Sequence, residues 1–176
     1  MREFKTACGG AVVVPPKTED HLRAHPEVLA FLAEAIGRVD LPRNGEFLAT
    51  EVAMGRVVGR SGCVPMWHIG PNDRATFALR VGREKPSRVM VGAEGPETTK
   101  VVVLAFAAKE AAGTYVLVTA FVGELAPKEP WDRNIRTEAE AKESLDFWVS
   151  HALVYDSSVM GDVFESTWNR VLGNNK

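Results

Sequence analysis

Residues 68 to 92, "HIGPNDRATFALRVGREKPSRVMVG", hold the groups with the most evident chemistry: His68 ahead of the turn-rich GPND, and four cations, Arg80, Arg83, Lys85 and Arg88, gathered around Gly82 and Pro86. A guanidinium offers parallel N–H donors that fit a phosphate with two hydrogen bonds, and the Lys85 ammonium adds a compact positive charge. Imidazole titrates near neutrality, so His68 can accept a proton from a ribose 2′-hydroxyl or return one to a leaving oxygen. Together these groups suit a phosphodiester. They also have a plainer reading: charged side chains on a hairpin guard a sheet edge against pairing with another chain, and a loop histidine need do no more than find a hydrogen-bond partner.

The remaining candidates are more scattered. Thr119 interrupts the apolar run "YVLVTAFV", residues 115 to 122. Strict alternation puts it on one face with Tyr115, Leu117 and Phe121, where its hydroxyl either bonds to nearby backbone or points into a cleft and donates to a phosphate. Thr98 and Thr99 could add similar contacts. His151, after Phe147 and Trp148, reads as a packing histidine at the border of a helix face. His21 and His25 have the spacing to reach one metal from a helix, but no third ligand accompanies them, so neither a metal nor a cofactor is expected. Trp131, in the extended stretch "ELAPKEPWD", reads as an anchor over the core, with base stacking as the alternative. No P-loop, nucleophile elbow, HExxH pair or helix-opening GxGxxG is present, which removes the usual metal and nucleotide enzymes.

The elements that must position these residues follow from composition and periodicity. The chain has 176 residues, 45% hydrophobic and 25% charged, enough to bury a core without disulfides or zinc. Cys8 and Cys63 show no metal spacing and read as reduced thiols. The net charge is −2, but the segment from Arg56 to Arg88 carries +5 and the remainder −7. The N-terminal apolar run is too short for a signal peptide and no stretch is long enough to span a bilayer, so the expected location is the cytoplasm, or outside the cell by a route needing no cleavable signal.

Val12 to Val14 predict a strand stopped by Pro15 and Pro16. A helix capped by Thr18 and another beginning at Pro26 should follow, over 18–38. Six strand candidates between 45 and 123 predict one sheet, with "VVVLAF" as a strand covered on both faces and joined to "YVLVTAFV" by a hairpin. Thr137 and Glu140 form a capping box for a helix reaching about Tyr155, and "SVMGDVFESTWNRVL" has the spacing of a last helix, so 137–172 should be helical. The expected fold is a single α+β domain over 1–176, a mainly antiparallel central sheet flanked by N-terminal and C-terminal helices.

In this order, "ALRVGREKPSRVMVG", "TTKVVVLAF" and "YVLVTAFVG" with its Thr119-Ala120-Phe121 ending resemble the strand core of the barnase–EndoU–RelE-like ribonuclease toxins, over about residues 68–123. The resemblance implies metal-independent RNA cleavage by 2′-hydroxyl attack. His68, Arg80 and Thr119 would then be catalytic, with Arg83, Lys85 and Arg88 binding phosphate. RNA and a cognate inhibitor protein would be the partners. The sequence departs from that pattern in having no clear second histidine near the loop. The alternative is a non-catalytic α+β module that binds a protein or a small molecule.

Overall fold

The structure, a computed structural model, describes residues 2–39, 47–68, 74–108 and 111–173, apart from the side chains of His68 and Asn169. The GPND turn lies outside the described residues. The fold is α+β with mostly antiparallel sheets, and the chain divides into two compact units, Met1–Ser61 with Glu97–Leu125, and Gly62–Pro96 with Ala126–Lys176. Elements are numbered along the whole chain.

The first unit contains β1 (Arg2–Lys5), β2 (Ala11–Val14), α1 (Pro16–Arg23), α2 (Pro26–Gly37), β3 (Phe47–Ala53), β4 (Gly59–Arg60), β8 (Glu97–Thr98), β9 (Lys100–Ala107) and β10 (Thr114–Val122). Its sheet has the order β1-β2-β10-β9-β3, antiparallel except for the parallel β2/β10 pair, while β4 and β8 form a separate two-stranded ribbon. Pro26 starts α2 at its first position, and Val28, Leu32 and Ile36 are buried in one core with Val12, Val103 and Leu117. β9 is an interior strand with Val101, Val102 and Val103 fully buried, although its far end is open and Phe106 is 52% exposed.

Two local readings change. Helix α1 starts at Pro16, so Thr18 lies inside it rather than capping it, and the Thr18 hydroxyl donates to the Leu117 carbonyl at 3.4 Å. That carbonyl stands where β10 is irregular: Leu117 pairs with Ala105 but Thr119 pairs with Leu104, so Val118 is an extra residue. A bulge of this kind reverses the alternation beyond it. Ala120 therefore shares the core with Tyr115 and Leu117, and Thr119 does not.

The second unit contains β5 (Cys63–Pro65), a single 3-10 turn (Met66–His68), β6 (Ala75–Arg80), β7 (Ser87–Met90), α3 (Glu138–Ser150), β11 (His151–Val154), β12 (Met160–Phe164) and α4 (Trp168–Val171). Its sheet has the order β12-β6-β7-β11-β5, again antiparallel except for one parallel pair, β7/β11. Five of the six strand candidates thus serve two five-stranded sheets rather than one, and the sixth, RVVG, contributes only Gly59 to the β4/β8 ribbon, because periodicity marks a strand without naming its neighbours.

The capping box forms in full: Glu140 N donates to the Thr137 hydroxyl at 3.1 Å, and the Glu140 carboxylate accepts from Thr137 N at 3.1 Å. Replacing the exposed Thr137 by alanine should cost about 1 kcal/mol, read from urea denaturation. The helix stops at Ser150 instead of Tyr155, and the chain runs directly into β11. Of Leu145, Trp148, Val149 and Ala152, which the helical spacing would bury, Trp148 is buried and so is Ala152, though in β11, whereas Leu145 and Val149 are exposed. The expected last helix is instead strand β12, paired with β6, followed by the single turn α4. Gly161 and the β-branched Val163 are poor helix formers, and an available sheet edge outweighs the helical spacing.

No helix among the described residues is long and apolar enough to cross a membrane.

Candidate functional site

The β6–β7 hairpin turns at Gly82, whose φ of 75° lies in the left-handed region, and Arg83 N closes the turn on the Arg80 carbonyl at 3.0 Å. This turn forms one wall of a cleft of about 240 Å³ lined by Gly82, Arg83, Glu84 and Lys85 and, opposite, by Trp131, Asp132, Arg133 and Asn134. The Arg83 guanidinium carbon sits 5.6 Å from the centre of the Trp131 ring, within cation–π range. Among the described residues neither Arg83 nor Lys85 has a carboxylate partner. Glu84 and Asp132 offset part of the positive charge, but Asp132 is engaged with the backbone, accepting from Asn134 N at 2.8 Å.

The opposite wall is held by two contacts. The Trp131 indole N–H donates to the Pro86 carbonyl at 3.0 Å. Arg80 Nη2 meets Glu129 Oε2 at 2.5 Å, with the side chains 27% and 7% exposed. Among the described residues Arg80 Nε and Glu129 Oε1 are buried without a partner, so the Arg80–Glu129 contact is what balances the two charges there. Arg80 thereby fastens the segment that carries Trp131.

Arg88 has a different task. Its Nη1 donates to the carbonyls of Trp148 and Val149, both at 2.9 Å, at the C-terminal end of α3, where cations and donors are favoured. Burial pulls its pKa below the ordinary guanidinium range. The His68 backbone lies in the 3-10 turn after β5, and its side chain is outside the described residues.

Thr119 belongs to the first unit, as do Thr98 and Thr99. The Thr98 hydroxyl donates to Glu124 at 2.6 Å and accepts from Lys100 N at 3.2 Å, which makes it part of the β8–β9 corner. His21 and His25 meet edge to face at 4.9 Å, and among the described residues no group of three His, Cys, Asp or Glu is placed to hold a metal.

Sequence reasoning placed Arg83 and Lys85 in the cleft's turn and offered Trp131 a stacking role as its alternative, but did not set Trp131, Asp132, Arg133 and Asn134 opposite that turn. The signal for that wall was present in "EPWDRN": a cation, Arg133, beside an aromatic residue and a chain reversal. In comparisons with known proteins, the chain matches no family model, no curated protein and no solved structure.

Proposed function

We propose that the second unit binds the backbone of RNA and cleaves it without a metal by attack of a ribose 2′-hydroxyl on the adjacent phosphate. The observation that carries this reading is the cleft lined by Arg83, Lys85 and Arg133 together with Trp131, against whose ring the Arg83 guanidinium lies. Cations that track phosphates beside an aromatic face able to stack a base are the usual components of a single-strand site, and stacking contributes about 1–3 kcal/mol per base. In this reading Arg83 and Lys85 take phosphate oxygens and Arg80 keeps the Trp131 segment in place. Of the residues named for the chemical step, His68 lies in the same unit as this cleft, whereas Thr119 belongs to the other unit and Arg88 is committed to the end of α3.

Incubation with RNA in EDTA tests the activity, with DNA of the same sequence as the substrate lacking the nucleophile. Cleavage of RNA alone is the expected result, and intact RNA at micromolar protein overturns it. The double variant Arg83→Ala/Lys85→Ala should weaken binding to a 2′-deoxy oligonucleotide and lower the slope of log affinity against log salt by about 1.4, the counterion release of two phosphate contacts. Stability should change by less than about 0.5 kcal/mol per residue, since both side chains project from a turn. Binding without cleavage would instead identify a non-catalytic RNA-binding module.

A further inference from the structure

We infer that His151 is the residue that accepts the 2′-hydroxyl proton, an assignment that rests on the ribonuclease reading. Its Nδ1 lies 3.0 Å from the Phe147 carbonyl and 3.0 Å from the Ser150 hydroxyl. A carbonyl can only accept, so in the neutral ring the proton must be on Nδ1. Ser150 satisfies its own O–H on the same Phe147 carbonyl at 2.9 Å, leaving its oxygen to accept from the imidazole. The tautomer is therefore fixed, with the basic lone pair on Nε2.

That nitrogen has no hydrogen-bond partner among the described residues, and it is not among the buried unpartnered atoms, so it is not sealed from solvent. The ring is also held in orientation. Phe147 stacks on it at 4.0 Å with an interplanar angle of 3°, and Trp67 stands edge-on at 5.5 Å. An imidazole with one nitrogen tethered, its plane clamped and its other nitrogen open is arranged as a general base.

Topology puts this group at the same end of the sheet as the cationic turn. β11 runs parallel to β7 with Leu153 opposite Val89, so His151 begins one strand as Ser87 begins the other, and Ser87 directly follows the cleft's hairpin. On the antiparallel side His151 pairs with Pro65, one residue before the Met66–His68 turn. The sequence had placed His151 on a helix face. Because α3 ends one residue earlier, it is instead the first residue of a strand and stands beside the turn that holds His68.

In the step assigned to it, Nε2 takes the 2′-hydroxyl proton as the 2′-oxygen bonds to phosphorus. The bond from phosphorus to the 5′-oxygen breaks, and that oxygen leaves with the electron pair and takes a proton from water. The imidazolium neutralises the resulting hydroxide. The products are a 2′,3′-cyclic phosphate and a 5′-hydroxyl, with no redox partner required.

The test compares wild type with His151→Asn on a fluorogenic RNA oligonucleotide in EDTA. The asparagine amide can still donate to Phe147 but carries no basic nitrogen. The expected result is a loss of about 10²–10⁴-fold in cleavage, with unchanged affinity for the 2′-deoxy oligonucleotide and an unchanged melting curve. Wild-type cleavage by His151→Asn overturns the inference and leaves the ribonuclease reading standing, whereas an inert wild type overturns both. If the variant does not fold, the wild-type protein decides: adding the 2′-deoxy oligonucleotide should shift the His151 Nε2 resonance, and an unmoved resonance counts against the assignment.

Discussion

Glu129→Ala is expected to destabilise the second unit by about 2–3 kcal/mol, the cost of leaving a partly buried guanidinium without its counter-charge and hydrogen-bond partner. The Glu129 side chain is 7% exposed and holds Arg80, whose Nε is already buried without a partner. Once the carboxylate is gone, the guanidinium must either remain unpaired or force the segment around Trp131 to open to water. All four tryptophans, Trp67, Trp131, Trp148 and Trp168, lie in the second unit, so intrinsic fluorescence during urea or thermal unfolding reports on it selectively. For a unit of this size the midpoint should fall by roughly 10 °C or more. The double variant Arg80→Met/Glu129→Leu removes both charges and should recover most of the loss, because two apolar side chains need no mutual compensation. A single variant that melts as wild type does would show the pair to be solvated and of no structural weight. The RNA binding proposed above should decline with the single substitution, since Glu129 is two residues from Trp131 and Asp132 N donates to the Glu129 carbonyl at 2.8 Å.

Legibility from sequence followed the range of the interaction that decides each feature. α2, the capping box of α3 and the β9–β10 hairpin depend on residues within a few positions of one another, and all were readable. The end of α3 was not, because no glycine stops it. Its last carbonyls are taken by Arg88, 60 and 61 positions away in sequence, and nothing near Ser150 announces that. The same limit hid the face of Thr119. A bulge is a mismatch between two strands, and one strand's sequence does not record its partner's spacing. β12 was misread because Met160, Val163, Phe164, Trp168 and Val171 fit helical spacing, while the deciding factor, a free edge on β6, lies 80 residues earlier.

The site shows the same division. The basic turn could be found from its own residues, as Gly82 and Pro86 bracket the cations. Which of those cations are available could not. Arg80 and Arg88 look equivalent to Arg83 and Lys85 in the sequence, yet one is paired with Glu129 and the other is placed on helix carbonyls. The residues opposite, Trp131 to Asn134, come from a stretch 46 or more positions further on. His151 looked like a packing residue because it was counted as part of a helix, and one changed element boundary makes it instead the first residue of β11, with Nδ1 on the Phe147 carbonyl.

Trp148→Ala should produce the second large effect, a loss of about 3–5 kcal/mol from removing a fully buried aromatic side chain. Trp148 is buried, its indole N–H donates to the Pro127 carbonyl at 3.1 Å, and its ring meets Phe147 edge-on at 5.2 Å. The second unit also buries Val64, Phe77, Ala78, Val89, Met90, Ala152 and Met160, and the indole is larger than any side chain in that set. The loss should also reach the proposed chemistry by a defined route. Trp148 anchors the last turn of α3, and that turn supplies the Phe147 ring that stacks on His151, the Phe147 carbonyl that fixes its tautomer, and the two carbonyls that hold Arg88. Trp148→Phe separates the two roles, since it keeps most of the apolar volume and gives up only the bond to Pro127. It should cost about 1 kcal/mol, the usual net value of one hydrogen bond, with somewhat more if the carbonyl is left unsatisfied. At a temperature where both variants are folded, the alanine variant should broaden or shift the His151 ring resonances and the phenylalanine variant should preserve them. Identical His151 spectra in the two would mean that the helix end holds its shape without the indole ring.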